Sequence, residues 1–137
     1  MKELSASALA MPASGIREVV HVAMKTPDVI RLEVGEPDFA TPQHIVEAAY
    51  EAASAGFTKY LPSAGLSSLR DLLSERINRV NGYAVKNEQI VVTVGGVQCV
   101  FATMLALLNP GDEVLIPDPA WPNYEMAILL QGSVPVH

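Results

Sequence analysis

The apolar positions of this chain change rhythm partway along. In the first half they recur three and four residues apart. Ile16, Val19, Val20, Ala23 and Met24 form one such stripe, which predicts a helix from a Ser14 cap to about Lys25. Thr26-Pro27-Asp28 breaks it. Ile45, Ala48, Ala49, Ala52 and Ala53 predict a second helix, with Thr41 as N-cap, Pro42 at the first helical position and Gly56 at its end. Leu66, Leu69, Leu72, Leu73, Ile77 and Val80 predict a third and longer one, with Arg70, Glu75 and Arg79 on the opposite face and Asn81-Gly82 closing it. Between these, Val29–Val34 alternates loosely and predicts a short strand. Gly35–Phe39 and Thr58–Ala64 predict loops, and residues 1–13 read as a weakly patterned arm.

The second half runs differently. Gln89–Val94 is β-branched and predicts a strand, Val97–Leu108 an almost wholly apolar helix, and Asn109–Asp112 a turn. Glu113–Ile116 predicts a second strand, Pro122–Leu130 a helix closed by Gln131-Gly132, and Ser133–His137 a third strand. This βαβαβ order implies parallel strands with both faces covered. Pattern alone thus separates a mostly helical front from an α/β back near Asn87.

Composition narrows the function classes. Half of the 137 residues are hydrophobic and 18% are charged, as in a packed globular protein. Such a length buries roughly two thirds of its unfolded surface when it makes one compact domain. The net charge of −6 and nine scattered basic residues exclude a nucleic-acid footprint. Apolar runs fall short of the roughly 20 residues of a spanning helix, and the N-terminus lacks a secretory pattern, so no membrane partner is expected. Cys99 stands alone, which rules out an internal disulfide and fits a cytoplasmic setting; it reads as a small residue on a buried helix face. His21, His44 and His137 lack metal-ligand spacing.

Two local features carry chemistry. Gly95-Gly96 ends a strand and opens a helix, on the edge of an α/β sheet where ligands sit. Glycines there let backbone N–H groups approach a phosphate without a Cβ in the way; a plain strand-to-helix turn accounts for the pair as well. The segment lacks G-x-G-x-x-G, and Val97-Gln98 stands where a P-loop has Lys and Ser or Thr. Trp121, the only tryptophan, follows the next strand on the same edge, between Pro119 and Pro122. It reads either as a stacking face for a planar ligand or as a packing residue, with Tyr124 beside it for helix packing.

Five segments, in order, resemble signatures of the class I/II aminotransferases, the fold-type-I enzymes that use pyridoxal 5'-phosphate. They are Leu32–Pro42, Thr58–Gly65 with Leu69-Arg70, Val92–Gln98, Asn109–Val114 and Pro119–Tyr124. The aspartate aminotransferase-like branch is the nearest in pattern. The resemblance implies an incomplete fold-type-I large domain, the βαβαβ start of a mainly parallel sheet, preceded by a mostly helical segment. It implies an N-terminal arm and small-domain-side segment over residues 1–40 and the first part of the cofactor-binding large domain over 41–137. It assigns the cofactor phosphate to the backbone at Gly95, Gly96 and Val97, ring stacking to Trp121, and the substrate carboxylate to the Gly35 N–H. Tyr60 would reach the cofactor of a neighbouring subunit in a homodimer. The substrates implied are an amino acid and a 2-oxo acid.

Departures from the pattern are Val97, where a polar residue is common, and Arg31 and Glu33, where small or apolar residues are common. The family's Schiff-base lysine, pyridinium-pairing aspartate and substrate-clamping arginine match no position here, and Lys2, Lys25, Lys59 and Lys86 do not replace the lysine by motif. The chain supplies about three strands of a family sheet of seven. It is therefore expected, taken alone, to be inactive and to aggregate or pair with another piece. The alternatives are a fragment of a fold-type-I lyase or synthase, a non-catalytic truncation that binds cofactor or a partner, and an unrelated nucleotide-binding α/β module.

Overall fold

A computed structural model describes residues 3–137; Met1 and Lys2, and with them the start of the arm, lie outside the described residues. The chain divides into two compact units. One joins the residues up to Gly35 with Val94–His137, and the other is Glu36–Thr93.

In the first unit, α1 (Ala6–Leu9) starts where the Ser5 hydroxyl accepts the Ala8 N–H at 3.2 Å. The arm thus holds a short helix that the weak pattern does not predict, and α1 packs on α6 (Pro122–Leu130). Helix α2 (Gly15–Ala23) begins after Ser14, whose backbone rather than side chain serves the cap. Helix α5 (Gly95–Leu107) starts at the glycine pair itself, two residues before the predicted start. Strand β1 (Glu113–Leu115) and strand β2 (Val134–Val136) pair in parallel, Glu113 opposite Val134 and Leu115 opposite Val136, with α6 as their crossover.

Ala127 and Ile128 of α6 are fully buried, and Ile116, just after β1, is buried too. Ser133 is buried too, and its hydroxyl donates to the Asn109 carbonyl at 2.9 Å, as a buried polar group requires. The turn before β1 is fixed by the Asp112 carboxylate, which accepts the Asn109 N–H at 2.7 Å.

The second unit holds α3 (Gln43–Ser54) and α4 (Ser67–Asn81). Helix α3 starts one residue later than predicted. Pro42 occupies the cap position and no side chain closes it, so Thr41 does not serve as N-cap. Its far end is as predicted: Gly56 at φ +90° donates to the Ala53 carbonyl and Phe57 to that of Ala52, the two bonds of a Schellman cap. Helix α4 ends on Gly82 at φ +72°. Gly82→Ala is expected to cost about 1 kcal/mol, read as a lowered melting midpoint of the full-length product of the reading frame.

Three expectations fail here. Val29–Val34 forms no strand; instead the Arg31 side chain donates to Glu33 at 2.7 Å across the bend. The Glu33 carboxyl is held below its usual range by its own backbone N–H and then by Arg31. Gln89–Val94 is extended, with a 3₁₀ turn at Asn87–Gln89, but makes no ladder among the described residues; Val92 bonds the Ala64 carbonyl at 3.0 Å instead. Cys99 is exposed, because nothing described covers that side of α5. No helix among the described residues is long and apolar enough to cross a membrane.

Candidate cofactor site

The glycine turn is built by backbone demands. Val94 precedes α5, and Gly95 follows at φ +79°, a conformation that side-chain-bearing residues avoid. Gln98 reaches back one turn, and its side-chain oxygen accepts the Val94 N–H. Periodicity did not single out Gln98 for this; its signal is a side-chain acceptor four residues after the turn enters.

Beyond the turn lie 13 residues of helix, whose aligned peptides place partial positive charge at this end. Helix geometry gives the Gly96 and Val97 N–H groups no intrahelical acceptor. A Cβ built on Gly95 or Gly96 meets nothing within 4 Å. The turn therefore faces open space. An anion the size of a phosphate fits such a turn chemically and sterically. Val97 offers only its backbone, since its side chain is aliphatic.

Trp121 occupies the cap position of α6, with Pro122 as the first helical residue. Its indole meets the Tyr124 ring edge-on, with centroids 5.5 Å apart and planes at 87°. Tyr124 thus packs where the sequence suggested, and it steadies the indole while leaving Trp121 39% exposed. A groove of ≈ 210 Å³ runs beside the ring, lined also by Asp118, Glu125 and His137. Helices α5 and α6 pack on each other.

The glycine turn, Trp121 and Gly35 belong to one unit, and Tyr60 to the other. Gly35 is exposed, with nothing within 4 Å of the Cβ direction. Tyr60 is fully exposed, on the rim of an apolar groove of ≈ 420 Å³ shared with Ala52, Phe57, Leu61 and Leu66.

Helix α4 holds what the hydrophobic pattern missed. Its half-buried stripe is Arg70, Leu73, Ser74 and Ile77, whereas Leu69, Leu72 and Val80 remain exposed. Arg70 is thus on the covered face and not the solvent face. Its Nε donates to the carbonyls of Asn87 at 3.1 Å and Ile90 at 2.9 Å, and its Nη2 to Asn87 at 2.6 Å. Ser74 donates to the Val85 carbonyl at 2.6 Å, and Asn78 bonds both backbone groups of Val85.

Residues 27–137 match the family described as aminotransferase class I and II. The chain is 46% identical over 109 residues to the aspartate/prephenate aminotransferase of Thermus thermophilus, covering 80% of this chain and 28% of that protein. It is 44% identical over 124 residues to the aspartate aminotransferase of Pyrococcus abyssi, covering 90% and 32%. Among solved structures, the aspartate aminotransferase from Thermus thermophilus with maleate superposes with a TM-score of 0.90 at 40% identity, covering 99% of this chain and 37% of that one. The alanine aminotransferase from Pyrococcus furiosus gives 0.88 at 35%, covering 98% and 36%. The chain thus spans less than a third of the length of those two curated relatives. Its helices and parallel strand pair are the front of a fold-type-I domain. By sequence and by fold, the chain belongs to the class I and II aminotransferases.

Proposed function

We propose that this chain is the N-terminal part of a pyridoxal-phosphate aminotransferase that moves an amino group between an amino acid and a 2-oxo acid. The observation that carries the cofactor reading is the glycine turn: Gly95 at φ +79° opens α5, and no protein atom lies where a Cβ at Gly95 or Gly96 would be. The family uses pyridoxal phosphate, whose ring supplies the electron sink for chemistry at the amino acid's α-carbon.

This chain's residues would bind and orient. The backbone at Gly95, Gly96 and Val97 holds the phosphate at the positive end of α5. Trp121, kept in place by Tyr124, covers one face of the ring and keeps water from it. Gly35 offers its N–H to the substrate carboxylate. The fully exposed Tyr60 reaches across a homodimer to the phosphate of the partner's cofactor. Residues 1–40 form the arm and small-domain-side segment and 41–137 the start of the large domain. A cytoplasmic setting, with a role in amino-acid biosynthesis, suits these substrates.

The test is cofactor titration and transamination by the full-length product of the reading frame. Saturable pyridoxal phosphate binding with glutamate formed from 2-oxoglutarate and an amino acid is the expected result. Binding without amino transfer would move the reading to a lyase, a synthase or a non-catalytic binder. Protection by ATP or NAD with no cofactor binding would overturn it. Trp121→Ala is expected to weaken binding about tenfold through lost stacking and buried area, with Trp121→Phe recovering most of it.

A further inference from the structure

We propose that Gln98 is a positioning residue for the cofactor phosphate, holding the glycine turn in shape with an acceptor that carries no charge. The inference rests on the cofactor site proposed above. The Gln98 side-chain oxygen accepts the Val94 N–H. That bond ties the residue before the turn to the start of α5, and it encloses Gly95, Gly96 and Val97. These three are the residues whose backbone would hold the phosphate. Val94 to Gln98 all belong to one compact unit, so the bracket owes nothing to Glu36–Thr93.

The enclosed backbone needs such a bond. Glycine loses more conformational freedom on ordering than any other residue, and here two stand together with Gly95 at φ +79°. The Val97 side chain is aliphatic and adds no donor, so recognition of the anion depends on where backbone N–H groups point. A bond that orders the turn before the ligand arrives lowers the entropy that binding must offset.

The acceptor is also neutral. Glutamate makes the same kind of reach-back bond in helix caps, and its charge suits the positive end of a helix. At this position it would set a carboxylate beside the anion. Glutamine supplies the acceptor without the charge, and the first turn of α5 holds no acidic residue. The positive end of α5 is thereby left to the ligand.

The test compares pyridoxal phosphate with pyridoxal, which lacks the phosphate. Both are titrated into the full-length product of the reading frame and its variants, and each protein is melted without ligand. Gln98→Met removes the acceptor at similar size. It is expected to weaken pyridoxal phosphate about fivefold, the scale of one lost hydrogen bond, with pyridoxal affinity unchanged. Gln98→Glu keeps the acceptor and adds a charge. It is expected to melt no lower than the unaltered protein, yet to bind pyridoxal phosphate about tenfold more weakly, again with pyridoxal unchanged. A residue that only caps the helix would not drive stability and phosphate affinity apart in this way. Gln98→Glu carries the test should Gln98→Met fail to fold. If the ratio of the two affinities is unaltered in either folded variant, the proposal is wrong while the cofactor site stands. If the unaltered protein binds no pyridoxal phosphate, the functional reading fails first and the proposal with it.

Discussion

Replacing Gly95 with valine is expected to weaken pyridoxal phosphate binding by about 100-fold or more in the full-length product of the reading frame. At φ +79° a β-branched residue is strained, which costs about 1–2 kcal/mol. No atom beyond the neighbouring residues and the helix's own backbone lies within 4 Å of the new Cβ, so no tertiary packing clash adds to that cost. The valine methyls instead occupy the space proposed for the phosphate. Gly96→Ala makes the same case with opposite signs. Gly96 has an ordinary backbone conformation and open space at its Cβ, so alanine there is expected to stabilise the fold by up to about 1 kcal/mol. It is nonetheless expected to weaken cofactor binding about tenfold, because the methyl points into the space proposed for the phosphate. A thermal melt and a cofactor titration on both variants decide the matter. Unchanged affinity in the two would remove the phosphate from this turn.

What could be read from the sequence was local. Helices α2 to α4 announce themselves by apolar spacing and α5 and α6 by apolar runs, while the ends of α3, α4 and α6 are marked by glycines. Gly56 closes α3 because its left-handed conformation completes a cap that depends only on neighbouring carbonyls, and Gly82 ends α4 in the same left-handed region. The glycine turn and Trp121 are legible for the same reason, since their geometry is set within a few residues.

What the sequence hid was relational. Gln89–Val94 has the composition of a strand, but a strand also needs a ladder partner; here Gln89 and Ile90 donate to Lys86 and Asn87 in a local turn, and Val92 to Ala64 in a loop. Val29–Val34 fails likewise, with Arg31 turned onto Glu33 across its bend. Cys99 lies on an apolar helix, but its burial depends on what stands opposite. Arg70 looked like a solvent-facing charge because its acceptors lie 17 and 20 residues away, a distance at which periodicity carries no signal.

The same relational deficit underlies the other large expected effect, which concerns these 137 residues expressed by themselves. They expose 11340 Å², whereas a compact monomer of this mass exposes about 6,900 Å². The excess is larger than the roughly 1,600 Å² buried in total by a standard protein interface. It is also apolar: Leu105, Leu107, Leu115 and Val94 are each at least 68% exposed. No residue of Glu36–Thr93 is buried. The two strands leave open edges, which invite pairing with other chains. Burial on this scale is too small to offset the conformational entropy lost on folding. The piece alone is therefore expected to bind a hydrophobic dye, to sediment as a concentration-dependent mixture of oligomers and to melt without a cooperative transition. It is expected to form no detectable glutamate from 2-oxoglutarate and an amino acid. Lengthening it by the residues that follow in its longer relatives should reverse all four readings together, because one missing set of covering surfaces accounts for them. A monodisperse monomer with a sharp melt would show instead that the exposed faces close on one another, and the argument from exposed area would fall.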